Sequence, residues 1–162
     1  MKKSLERGFI TMIVLALSVM GYNFYQSYQF KTKPVSPEIQ HKIDMKVAEV
    51  EHLIQKRFGL RFRVPIIISD DLPSKLYGVT TFETSKQIKI YLNKKRMKES
   101  LDYMIDDVIA HEYAHALMFY KGLRSQDDGH SLAWQKICEK LEGKRCRRYV
   151  DSGDVISGKL PF

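Results

Sequence analysis

Cysteine is scarce in this chain of 162 residues: only Cys138 and Cys146 occur. Two cysteines exclude a disulfide-dense secreted scaffold and a four-cysteine zinc ribbon. The pair reads as one core residue (Cys138) and one incidental thiol (Cys146) rather than as a disulfide, unless the body lies outside the cytoplasm. Five prolines and nine glycines are too few for a collagenous or low-complexity chain, and no internal repeat is visible. Acidic residues are also in the minority, 19 against 27 Lys and Arg, for a formal charge of +8. That excess is uneven. Residues 1–34 hold five basic residues against Glu6, so the remainder is only mildly basic and the charge is a weak nucleic-acid signature. What is present, 44% hydrophobic and 11% aromatic residues, can build a real core, and the length accommodates one domain with an attached segment.

No charged residue occurs between Gly8 and Phe30. The most apolar stretch, Phe9 to Tyr22, follows Lys2, Lys3 and Arg7 and is followed by Phe24, Tyr25 and Tyr28, as in an interfacial aromatic belt. Its length lies between that of a signal-peptide core and the roughly 20 residues a spanning helix needs. A signal peptidase wants small residues at the two positions it reads, and the best site, Val19-Met20-Gly21, is a weak one, so residues 1–30 read as an uncleaved single-pass anchor contacting lipid through residues 8–25. A cleaved secretory signal is the alternative. Lys31 and Lys33 nearly balance the basic residues before the apolar run, which leaves the orientation open. Residues 31–35 form a linker, and residues 36–162 the folded domain.

Within that domain Ser36-Pro37 reads as a helix cap followed by proline at the first helical position. Ile39, Ile43, Val47, Val50, Leu53, Ile54 and Phe58 then recur at three- and four-residue steps up to Gly59, a C-terminal cap. Phe62–Ser69 is a β-branched run with an irregular start at Pro65. Tyr77–Phe82 and Gln87–Asn93 predict a hairpin about a turn at residues 83–86. From about Glu99 the period becomes helical through Tyr120, and Leu132 to Leu141 describe a last helix closed by Gly143. One helix, three strands and two helices make an α+β fold with helices packed on a small sheet.

The long helix contains His111-Glu112-Tyr113-Ala114-His115, an H-E-x-x-H pattern. Four residues on an α-helix return to the same face, so two imidazoles can close on one ion. Glu112, rotated about 100° from His111, is placed to reach a water rather than the ion and is the candidate general base. Burying these groups beside an apolar face is costly without a partner. Catalytic zinc takes three protein ligands and keeps one position open. His130, after Gly129 and the acidic pair Asp127 and Asp128, is the candidate third ligand; Glu139 on the last helix is its rival. His41 and His52 read as solvated helix residues.

Gly78, the strand Ile88–Asn93, the segment Val108–Leu117 and the segment Gly129–Cys138 together resemble the SprT-like zinc metallopeptidases, relatives of the crosslink protease Spartan. The resemblance covers roughly Val47 to Val150. It implies a zincin-like fold, Zn2+ held by His111, His115 and His130, Glu112 as catalytic acid/base, an aromatic residue four beyond the third histidine (Trp134), and a protein or peptide substrate. Two departures stand out: Ser131 replaces a frequent glycine, and no cysteine-rich ribbon can exist.

Three further expectations concern partners. The strand Gln87–Asn93 is expected to take substrate as an added strand. Tyr149, Arg147 and Arg148 are the candidate oxyanion donors. DNA contact through Lys94, Lys95, Arg96, Arg147 and Arg148 is expected to be weak and salt-sensitive. A DNA-associated protease and a membrane-anchored metal-binding protein without catalysis are the alternative readings, and the sequence leaves the oligomeric state open.

Overall fold

A computed structural model describes residues 2–82, 87–123 and 129–147. The chain divides into two units, one ending at Val35 and the other beginning at Ser36. The first is helix α1 (Lys2–Thr32). Among the described residues this is the one helix long and apolar enough to cross a membrane; the candidate span is Arg7–Phe30, and none of it is buried. At about 1.5 Å per residue that span is long enough for a hydrocarbon layer of about 30 Å.

The second unit opens with α2 (Pro37–Phe58). Its ends follow local rules. The Ile39 amide donates to Ser36 Oγ at 3.3 Å, and Gly59 ends the helix in the left-handed region at φ 67°. Ile43, Val50, Leu53 and Ile54 are its buried face. Three strands follow: β1 (Ile66–Ser69), β2 (Gly78–Phe82) and β3 (Ile88–Asn93). The first is shorter than its β-branched run because Pro65 precedes it and has no amide to give a ladder. The Pro65 carbonyl does accept from the Ile90 amide at 3.0 Å.

The sheet order is β1-β3-β2, with β3 parallel to β1 and antiparallel to β2. This corrects the expectation that β3 receives a substrate strand: both of its edges are occupied, and the hairpin turn at 83–86 lies outside the described residues. Opposed residues of an antiparallel pair share a face, so Gly78, Thr80 and Phe82 lie on the side of Leu92, Ile90 and Ile88. That face packs on the main helix. Asn93 caps the next helix, its Oδ1 accepting from the Lys95 amide, while its side-chain amide donates to the Pro73 and Leu76 carbonyls.

The helix expected from about Glu99 is present from Leu101 to Tyr120, and a separate short helix precedes it. Residues Lys94–Glu99 form α3, which stops at Ser100, and α4 (Leu101–Tyr103) continues through a π-helical turn (Met104–Val108) into α5 (Ile109–Tyr120). Such turns insert one residue into the helical register and recur at functional sites. Here Asp107 lies in it, buried, one turn before His111. The last helix, α6 (Leu132–Lys140), starts at a Ser131 cap and ends with Glu142, not Gly143, in the left-handed region at φ 58°.

Gly143 has a different purpose. A Cβ there would stand 2.7 Å from Cys138 Sγ and 3.0 Å from Cys146 Sγ, and those sulfurs are joined in a disulfide. The reading of one core cysteine and one incidental thiol is therefore wrong. Sequence spacing could not reveal it, because the reversal at Glu142 and Gly143 is what brings the two Cα atoms to 5.7 Å.

Candidate metal centre

Two elements carry the histidines. His111 and His115 stand one turn apart on α5, and His130 precedes the Ser131 cap of α6 rather than beginning that helix. Gly129 makes its approach possible: its φ is +88°, and a Cβ there would lie 3.1 Å from His115 Cε1. Ser131, where a glycine is frequent in the resembling proteins, earns its place as the cap, accepting from the Trp134 amide at 3.4 Å.

The three Nε2 atoms form a near-equilateral triangle with sides of 3.1, 3.2 and 3.3 Å. A ring N–H points in one direction only, so three converging nitrogens cannot all satisfy one another by hydrogen bonds. They can satisfy an ion. A tetrahedral ion with metal–nitrogen bonds of about 2.0–2.1 Å separates its ligands by about 3.3 Å, which matches the observed sides. Burial pushes His111 and His115 down to about 3, and neighbouring imidazoles add to the effect, so both are neutral at pH 7 with lone pairs available. The fully buried Trp134 ring packs against all three, with centroid distances of 4.6, 5.2 and 4.6 Å. These histidines are a possible metal site.

Glu112 does not join the triangle. Its side chain is buried, and burial raises its carboxyl to about 7 against the opposing pull of the Thr80 hydroxyl. Thr80 Oγ1 lies 2.6 Å from Glu112 Oε2 and 2.9 Å from the Glu112 carbonyl oxygen. Gly78 leaves room for that side chain, since a Cβ would meet Oε1 at 2.8 Å and Cγ at 2.9 Å. Thr80 was not singled out from sequence. A threonine in a strand is unremarkable until its register places it opposite Ile90 on the α5 side.

Glu139, the rival ligand, is exposed on α6 and accepts from the Gln135 side chain at 3.2 Å. His41 and His52 are exposed on α2. Of the oxyanion candidates, Tyr149 and Arg148 lie outside the described residues, as do Asp127 and Asp128; Arg147 is exposed, its amide bonded to the Arg145 carbonyl. The basic clusters are largely engaged within the fold. Lys94 is buried and pairs with Asp70 at 3.2 Å, Arg96 pairs with Glu99 and lies over the Tyr77 ring, and Lys144 pairs with Asp106.

The SprT-like family model matches residues 43–152, which is more than half of the chain. The chain belongs to the SprT-like family. No curated protein and no solved structure matches it. In this SprT-like domain the matched region begins within α2 and takes in the sheet, α5 and α6, and so contains all three histidines, Glu112 and Thr80.

Proposed function

We propose that this SprT-like protein is a membrane-tethered zinc metalloendopeptidase. The carrying observation is the triangle of imidazoles with a buried carboxyl, Glu112, next in sequence to His111. His111, His115 and His130 are the proposed zinc ligands. Zinc, when bound, acts as a Lewis acid that polarises a carbonyl and makes water nucleophilic near neutral pH. Glu112 takes the proton of the attacking water on a carboxylate oxygen and passes it to the nitrogen of the departing amine. A carboxyl raised to about 7 suits both halves of that transfer.

The substrate is proposed to be an extended peptide laid along β2. That strand's outer edge carries no partner among the described residues, and its inner face bears Thr80 against Glu112. Main-chain pairing there recognises backbone with little sequence preference. Tethering is supported by α1, whose candidate span Arg7–Phe30 is apolar and not buried. DNA contact is proposed to be weak, because Lys94, Arg96 and Lys144 already face acidic partners.

The test is hydrolysis of an unfolded protein by the zinc-loaded full chain in detergent. Glu112→Gln is expected to lose about 10²- to 10⁴-fold in kcat while retaining zinc, because an amide cannot take the proton. His130→Ala is expected to lose zinc. An active Glu112→Gln refutes the mechanism, and wild-type zinc affinity in His130→Ala refutes the ligand set.

A further inference from the structure

Glu112 is held from three sides. The backbone of β2 at Gly78 lies flush against its Cγ and Oε1, Val108 Cγ1 closes the same space, and Thr80 Oγ1 touches both Oε2 and the main-chain oxygen of Glu112. A single hydroxyl thus ties the side chain and the backbone of one residue to one strand. We propose that Thr80 is a positioning residue that fixes the Glu112 carboxylate through its contact with Oε2. This role rests on the peptidase reading. It also gives β2 two tasks, since the strand proposed to align the substrate backbone also sets the base, and moving one moves the other.

The experiment compares Thr80→Val, which removes the hydroxyl at nearly constant shape, with Thr80→Ser, which keeps it, in the full chain in detergent. In the metal-free protein a double-mutant cycle of T80V with E112Q on urea unfolding is expected to be non-additive, showing the contact without metal. In the zinc-loaded protein T80V is expected to lose about 10- to 100-fold in kcat, with KM and zinc content unchanged and T80S close to wild type. Thr80→Ala replaces T80V should the latter fail to fold. A T80V with wild-type kcat, a loss confined to KM, or a T80S as poor as T80V overturns the role alone. A wild-type chain that binds zinc and hydrolyses nothing overturns the peptidase reading and this role with it.

A second inference comes from the other end of the domain. The chain's two cysteines form one disulfide, with Gly143 packed against both sulfurs and Cys138 buried in α6. Forming it removes two protons and two electrons from the thiols, which pass to a disulfide-carrying oxidoreductase of the compartment. Such bonds persist where thiols are not kept reduced. The charges flanking α1 do not set its direction, so we infer from the disulfide that the domain following the anchor faces the oxidising side of the membrane. This rests on the anchor reading. The full chain, expressed in a bacterial host, is tested in spheroplasts. Externally added protease is expected to digest the domain, and the denatured chain is expected to expose thiols to a maleimide only after reduction. A domain protected from external protease, or thiols that react without reductant, overturns the inference. A chain extracted from membranes by carbonate overturns the anchor reading and the inference together.

Discussion

Helices α1 and α5 are both strongly apolar, yet they end in opposite surroundings. None of the α1 span is buried, with Phe9, Leu15 and Met20 each at least 60% exposed, whereas eight of the twelve residues of α5 are buried. The difference lies in where polar residues interrupt the apolar ones. Between Gly8 and Phe30 there is no charged residue to mark a face toward protein, so the composition suits an apolar medium. In α5, His111, Glu112 and His115 fall between buried residues, and each is met by a specific neighbour: Trp134, Thr80 or another imidazole. Apolarity alone therefore does not separate the two helices. The placement of their polar groups does.

That contrast can be broken by placing one charge in each helix. Ala114→Asp, at a site with no exposure between the two ligand turns, is expected to unfold the domain, a loss of about 4 kcal/mol or more, read as an absent cooperative melt. Leu15→Arg should leave the melt of the domain intact and cost about 2.5–3.5 kcal/mol of membrane insertion, read as a lower carbonate-resistant fraction. Removing residues 2–30 sharpens the contrast further. The truncated chain is expected to leave the membrane fraction while keeping its zinc stoichiometry, because the α2 cap at Ser36 lies beyond the cut.

A pH dependence is also expected from α5. In metal-free protein, His111 and His115 have folded pKa values of about 3 against 6.5 for the free side chain, so the unfolded chain takes up protons the folded one refuses. Their contribution is complete above about 6.5 and declines as pH falls toward 3. Glu112, raised to about 7 from 4.5, acts in the opposite sense between those values, since its folded form holds the proton longer. Urea midpoints of the metal-free chain should thus fall from pH 6.5 to 4.5 and more steeply below, where Glu112 no longer opposes the histidines. A midpoint that rises on acidification would contradict this assignment.

Much of the architecture was legible because it depends on neighbours in sequence. Ser36, Pro37 and Gly59 bound α2 through contacts within four residues, and the strand positions follow β-branched runs. The helical period likewise put His111 and His115 on one face. Less was legible wherever a residue's role depends on a distant partner. The run Lys94–Lys98 looks like a phosphate-binding cluster in sequence, and only Asp70, 24 residues earlier, makes Lys94 a buried ion pair. Helix α3 was not legible either, because Lys94–Glu99 is a mostly charged run with no apolar stripe of its own.

The sequence by itself determined most of the helical and extended segments, α3 apart, which helix carries no charge from Gly8 to Phe30, and which two imidazoles share a face, because each follows from side-chain period and capping within a few residues. Only the tertiary structure decided the rest. It put β3 between two strands and so moved the open edge to β2, swung Gly129 and His130 over α5, laid Thr80 on Glu112, and joined Cys138 to Cys146. These are encounters between elements whose direction is set by chain reversals and by packing of whole faces. A local pattern carries no record of which distant residue arrives opposite it.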